Sequence, residues 1–166
     1  MELTSEVFQN NETLPVKYTM DGEKISPPLG WNHIPQGTKS FALIMDDLDV
    51  PPAFGGKFTH WMVYDIPANS RGLKEGDSPN GYVSGRELAN DYVKFGMPAL
   101  SRYGPPWPPT PNHRYRFTLH ALKVEFLVIA PDATEEQFRA AILADSVESA
   151  ELVGIYGPAI TPQSGG

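Results

Sequence analysis

The sequence predicts a mainly antiparallel β-sandwich with a few peripheral helices near its C-terminus. Three observations carry that reading. Ser40-Phe41-Ala42-Leu43-Ile44-Met45 is a continuous, mostly apolar run, the pattern of a strand buried on both faces. Two later runs, Thr59–Ile66 and Arg114–Leu122, alternate in character with the two-residue period of a strand. Helical periodicity arrives only late in the chain, so strands and helices do not alternate as in a βαβ fold.

Taken in order, Glu2–Phe8 and Thr13–Thr19 read as short outer strands joined by a turn at Asn10-Asn11. Phe41–Met45 is the first central strand. In the second, His60, Met62, Tyr64 and Ile66 face one way and Thr59, Trp61, Val63 and Asp65 the other. In the third, Tyr115, Phe117, Leu119 and Ala121 share a face, opposite Arg114, Arg116, Thr118 and His120. Trp61 and Phe117 are expected in the core, and His33 and His120 at surface or structural positions. A helix follows from about Thr134 to Ala144. Thr134 caps it and Gln137 completes a capping box. Phe138, Ala141, Ile142 and Leu143 form its apolar stripe, and Glu135 and Glu136 a solvated first turn favoured by the helix dipole. A shorter helical pattern spans Val147–Leu152, ahead of Gly154.

Composition bounds the function. The 166 residues fit one domain, with residues 162–166 expected to fray. The 17 prolines and 15 glycines call for many turns and stiff loops. A net charge of -7, with lysine and arginine scattered, opposes binding to nucleic acid or to anionic lipid. No apolar stretch reaches the length of about 18 residues that a membrane span needs. Met1–Glu6 is acidic and lacks the order of a signal peptide. The absence of cysteine excludes disulfides and thiolate metal sites and fits a cytoplasmic location.

Two polar clusters in proline-rich loops stand out: Asp46-Asp47-Leu48-Asp49-Val50-Pro51 with His60-Trp61, and Tyr103–Pro109 with His113-Arg114-Tyr115. Each brings a histidine to a strand end held by prolines, as two walls of one polar pocket would. The aspartates suit either a hard cation or turns in which each carboxylate bonds nearby backbone. Neither a zinc spacing nor a calcium-loop pattern is present, and no cofactor is implied. Gly-x-Ser-x-Gly, Walker and dinucleotide-binding motifs are all missing. The prolines of the second loop lack N–H groups, so an anion would depend on side-chain donors: His60, His113 and Tyr115. Arg114 and Arg116 lie on the other face.

The ordered set of Ser26-Pro27-Pro28-Leu29-Gly30-Trp31, Pro35–Ser40, Asp47–Pro51, His60-Trp61, Asn90-Asp91-Tyr92, Tyr103–Pro109 and His113-Arg114-Tyr115 resembles the phosphatidylethanolamine-binding proteins. The likeness is to their prokaryotic, Raf-kinase-inhibitor-like branch and covers almost the whole chain. It implies a Greek-key β-sandwich whose pocket binds a small anion: phosphate, a carboxylate or a phosphoryl head group. Carried over, the ligand-binding residues are Asp47, Pro51, His60, Pro109, His113 and Tyr115, with Asp47 orienting a histidine. The resemblance also implies a cis Val50-Pro51 bond, with Gly56-Lys57 as a second candidate. The sequence departs from the family pattern at Leu48, Val50, Pro105 and Trp107, and the tryptophan is expected to narrow the mouth.

Three functions compete at this point. The first is a non-enzymatic binding module that regulates or inhibits a protein such as a kinase or protease, as family members do. The second is a hydrolase or lyase using a histidine beside Asp47. The third is phospholipid head-group binding. A homodimer is compatible with the sequence. An ionised Asp47 is expected to pull a histidine pKa upward, making a charged donor for the anion.

Overall fold

The computed structural model describes residues 1–97 and 101–157; the tail expected to fray lies outside them. Its strands are β1 (Glu2–Thr4), β2 (Glu12–Thr13), β3 (Leu29–Asn32), β4 (Ser40–Asp47), β5 (Phe58–Pro67), β6 (Gly72–Leu73), β7 (Arg86–Glu87), β8 (His113–Leu122) and β9 (Ser146–Tyr156). The helices are a single turn, α1 (Asp77–Asn80), and α2 (Glu135–Asp145), with three short 3-10 segments. One sheet runs β1-β3-β6 and the other β2-β9-β8-β4-β5-β7. The long connection from β5 returns the chain to β8, beside β4 on the side away from β5, which is the Greek-key crossing.

The apolar run at the centre of this fold is explained by what covers it. Phe41, Leu43 and Met45 of β4 join Trp61, Phe117, Leu119 and Trp31 in the core between the sheets. Ala42 and Ile44 point the other way, into a second core with Met62, Tyr64, Phe138 and Ile142 that α2 closes. A strand covered on both faces needs no polar side. The three expected central strands are therefore β4, β5 and β8, and Trp61 and Phe117 are fully buried.

The helix begins as expected: the Thr134 side chain accepts from Gln137 N–H while Gln137 reaches back to the Thr134 N–H. Two details of the expectation fail. Glu135 does not stand in solvent; it accepts from Thr59 Oγ1 and Arg139 Nε. Leu143 is 75% exposed, because it lies a hundred degrees around the helix from Ile142.

Larger corrections come at the chain's edges. Val147–Leu152 is not helical but part of β9, which pairs antiparallel along the full length of β8. The backbone donors and acceptors of β8 need a partner on that side, and this long-range demand overrides local preference. Glu2–Phe8 and Thr13–Thr19 do not form a hairpin either. β1 pairs with β3, while β2 pairs parallel with β9 in the other sheet. Asn11 does turn the chain, at φ 66°, but Pro15 cannot donate to a ladder and Val16–Tyr18 coils into a 3-10 turn.

Candidate functional site

β4, β5 and β8 end together, and their ends form the floor of a cavity of about 360 Å³. Asp47 arrives at the end of β4, His60 near the start of β5, and His113 and Tyr115 at the start of β8. All six residues that the sequence singles out, Asp47, Pro51, His60, Pro109, His113 and Tyr115, line this one cavity. Residues far apart in sequence meet because β4 pairs with both neighbours, with Asp47 opposite Phe58 on one side and Tyr115 on the other.

The aspartates of the first cluster are each committed to the protein. Asp46 pairs with Arg139 and Arg116 on the far face of the sheet, and Asp49 holds Arg114 in a two-point ion pair. Arg114 and Arg116 thus stay away from the cavity. Asp47 Oδ1 accepts from Asp49 N–H at 2.9 Å, a side-chain-closed turn, and Oδ2 accepts from His113 Nδ1–H at 2.7 Å. The carboxylate therefore orients His113, whose Nε2 meets Thr110 Oγ1 at 2.7 Å.

The chain leaves β4 without the expected cis bond. Val50-Pro51 and Gly56-Lys57 are trans, and among the described residues the cis bond is Ser78-Pro79. Here the reversal is made differently. Pro51 C=O accepts from Phe54 N–H and Gly56 N–H across a 3-10 turn, and Gly55 and Gly56 complete it at φ 98° and 74°, which glycine adopts without a Cβ clash.

The second proline loop is pinned by its carbonyls, since its prolines offer no donors. Pro105 C=O accepts from Tyr92 Oη, and Pro106 C=O from Met20 N–H. Gly104 makes a two-point clasp on His60: its N–H donates to His60 C=O at 2.8 Å, and its C=O accepts from His60 Nδ1–H at 2.6 Å. Only glycine fits here. A Cβ would stand 2.9 Å from the His60 oxygen and 3.0 Å from the Tyr92 ring.

This clasp decides the chemistry of His60. Burial is the largest influence and lowers its pKa to about 4; the Gly104 carbonyl and the Asp47 charge pull upward without prevailing. The expected rise does not occur at this histidine, because the desolvation of a fully buried imidazolium outweighs one carboxylate nearby. His60 is neutral at pH 7, with its proton on Nδ1, and its Nε2 has no protein partner among the described residues. Tyr115 Oη is buried and makes no well-formed hydrogen bond among the described residues, although the Asp47 carboxylate lies close enough to act on it. Burial first, then the Asp47 charge, raises its pKa far above the usual range of a phenol.

Sequence reasoning missed the walls. Phe54, Phe58, Phe95 and Met97 join Trp107 and the prolines around the polar floor, and no lysine or arginine is among the lining residues. Phe58 packs 4.4 Å from the His60 ring and stacks on Phe95 at 5.6 Å. Phe54, Phe95 and Trp107 are more than half exposed and form the rim. Trp107 does border the mouth, as the departure from the motif suggests. Thr110 and Gly104 were also missed; only the local spacing Thr110-x-x-His113 offered a signal for the first.

Comparison with known proteins agrees with this architecture. The sequence profile described as "Phosphatidylethanolamine-binding protein" matches residues 4–157. The chain is 42% identical over 159 residues to a UPF0098 protein of Aquifex aeolicus, covering 94% of this chain and 88% of that one. A UPF0098 protein of Methanothermobacter thermautotrophicus is 38% identical, with 94% and 98% covered. Among solved structures, a putative phosphatidylethanolamine-binding protein homolog from Chlamydia trachomatis superposes with a TM-score of 0.82 at 34% identity, covering 95% and 97%. E. coli YbcL, described as a new member of the mammalian family, gives 0.84 at 25% identity, covering 95% and 98%. A profile spanning nearly all the described residues, relatives above a third identical and two matching folds place the chain in one family: it belongs to the phosphatidylethanolamine-binding proteins, in their prokaryotic branch.

Proposed function

We propose that this protein is a binding module whose pocket takes a small ligand with a phosphoryl or carboxyl head and an apolar body, and that it regulates or inhibits a protein partner. One observation carries the reading: a buried polar atom, Tyr115 Oη, stands unpartnered among the described residues at the floor of an apolar-walled cavity, beside His60, whose Nδ1 is taken by Gly104 and whose Nε2 makes no hydrogen bond to them. Buried polar groups without partners are rare in folded proteins, and a ligand head is what would satisfy these two. The cavity volume falls in the range of ligand sites, about 300–1,000 Å³, and exceeds the need of a bare anion. The exposed aromatic rim offers a contact surface for the rest of the ligand or for the partner that carries it. Calorimetric titration with phosphate, acetate and phosphorylethanolamine tests the pocket. Saturable binding that His60→Ala and Tyr115→Phe both weaken supports it, and equal affinity in all three proteins removes it.

A second reading has its own observation. Thr110 Oγ1, His113 and Asp47 form a hydrogen-bonded chain with two 2.7 Å links, the order of a nucleophile, a base and its orienting carboxylate. This favours a hydrolase. Thr110 stands outside the lining of the cavity, however, and a hydroxyl three residues from a histidine reaches it by local geometry alone. Labelling by a fluorophosphonate, abolished in Thr110→Val, would establish the hydrolase in place of the binding module.

A further inference from the structure

We infer that the pocket selects ligand heads that still carry an acidic proton, so that it accepts a singly protonated phosphoryl group and rejects a sulfuryl group of the same shape and charge. The inference rests on the binding reading above and specifies its ligand class. It follows from the directions of hydrogen bonds. The Gly104 carbonyl can only accept, so the His60 proton must sit on Nδ1, and the Nε2 facing the cavity presents a lone pair. The Asp47 carboxylate adds negative charge behind the floor, with both oxygens already accepting. Tyr115 Oη–H is the donor at this floor: it makes no well-formed hydrogen bond among the described residues, the Asp47 carboxylate is its nearest charged neighbour, and its ring is 5.2 Å from that of His60. Among the described residues no lysine or arginine lines the site.

A floor of this kind has one acceptor, one donor and a nearby negative charge. It is poorly matched to a fully ionised oxyanion, whose lone pairs would meet the lone pair of Nε2. It is well matched to a head with one oxygen that accepts from Tyr115 and one hydroxyl that donates to His60. A phosphate monoester below its second pKa of about 6 has both, while a sulfate monoester has no proton to give at any working pH. A carboxyl group satisfies the same pair only in its acid form. Sites built around a ligand hydroxyl discriminate strongly against analogues that lack it, because the protein group is left unpaired.

The groups that could confuse a pH profile are those facing His60: Asp47 from β4, His113 and Tyr115 from β8, and Tyr92 from the 3-10 segment Asp91–Phe95. A matched pair of ligands separates their titration from that of the ligand. Phenyl phosphate and phenyl sulfate share shape, aromatic body and, at pH 5, a single negative charge. Titrated into the wild-type protein at pH 5, phenyl phosphate should bind at least about tenfold more tightly than phenyl sulfate. Its affinity should then fall roughly tenfold for each pH unit above about 6, as the P–OH is lost. The protein's own groups would move both ligands together, so a decline shared by phenyl sulfate is not the one expected. Binding of the two esters with equal strength at pH 5, or a phenyl phosphate affinity that is constant to pH 8, overturns the selectivity and leaves the pocket standing. Failure of both esters to bind overturns the pocket as well.

Discussion

Asp46 and Asp47 are adjacent on one strand and meet opposite fates. Asp46 turns to the α2 face, where Arg139, Arg116 and Thr59 surround it and Glu135 extends the network to Lys57. Asp47 turns to the cavity, where it holds His113 beside a tyrosine and a histidine with unfilled hydrogen-bonding capacity. The first cluster holds abundant charge and is nearly saturated; among the described residues Arg116 Nε is its one buried atom without a partner. The second holds little charge and is left incomplete where it meets the cavity. The first therefore works for the fold and the second is the one the proposed ligand would complete, although both are polar, partly buried and draw on the same three strands.

The sharpest separation of the two is by pH. The His60 imidazole has a pKa of about 4 in the fold against an ordinary 6.5. The unfolded chain therefore takes up that proton first as the solution is acidified. Stability from this group is complete above pH 6.5 and is lost as pH falls toward 4, by on the order of 3 kcal/mol in all. On the α2 face the sign is the usual carboxylate one. Burial pushes the Glu135 pKa up, but the Thr59 hydroxyl and Arg139 outweigh it and the net shift is downward from 4.5. That contribution is present above pH 4.5 and is lost only below it. Urea midpoints followed from pH 7 to 3 should fall in two stages, and His60→Gln should remove the upper stage alone.

Mutation of the saturated cluster comes next in size. Arg139→Met leaves Asp46 and Glu135 without their principal cation, and because Arg139 is a third exposed a loss of about 2 kcal/mol is expected rather than the larger value of a fully buried pair. Ligand affinity should not change, as calorimetry on the folded variant would show. The incomplete cluster should behave in the reverse way. Tyr115→Phe removes a hydroxyl that makes no well-formed hydrogen bond among the described residues, so stability should hold or rise slightly while affinity drops about tenfold. If Tyr115→Phe instead destabilises the fold, the hydroxyl has a partner and the contrast between the clusters weakens. The smallest effect is expected at the rim. Trp107→Ala should alter the thermal midpoint little, as surface changes usually stay within about 0.5 kcal/mol, and should weaken aromatic ligands more than inorganic phosphate.

What the sequence disclosed divides along the same line. Strands β4 and β8 were legible because their burial is written in the period and polarity of their own residues. β5 was legible as a strand but not in its faces: irregularities in its pairing with β4 break the alternation at both ends, so Ile66 joins Trp61 and Val63 in the core between the sheets, Thr59 turns to the α2 face and His60 to the cavity. The six pocket residues were legible through the ordered motifs, which fix positions far apart in the chain. β9 was not legible, since Val147–Leu152 becomes a strand only by meeting the edge of β8. The state of His60 was hidden for a related reason. Its proton is placed by a carbonyl 44 residues away, and its pKa by a depth of burial that no local pattern encodes. The apolar walls escaped notice because Phe54 and Phe95 come from 3-10 turns, where side chains follow no amphipathic period.

The clasp between residues 60 and 104 turns the histidine into a gauge of its own loop. The ring's proton position depends on the Gly104 carbonyl, so a sub-ångström displacement of that loop is written into the nitrogen resonances of a residue on rigid sheet. The two nitrogens report separately. A compound that enters the floor perturbs Nε2, whereas a partner protein that presses on the proline loop from outside perturbs Nδ1. A single isotope-labelled imidazole can thus tell occupancy of the cavity from contact with its lip, with no probe attached to either.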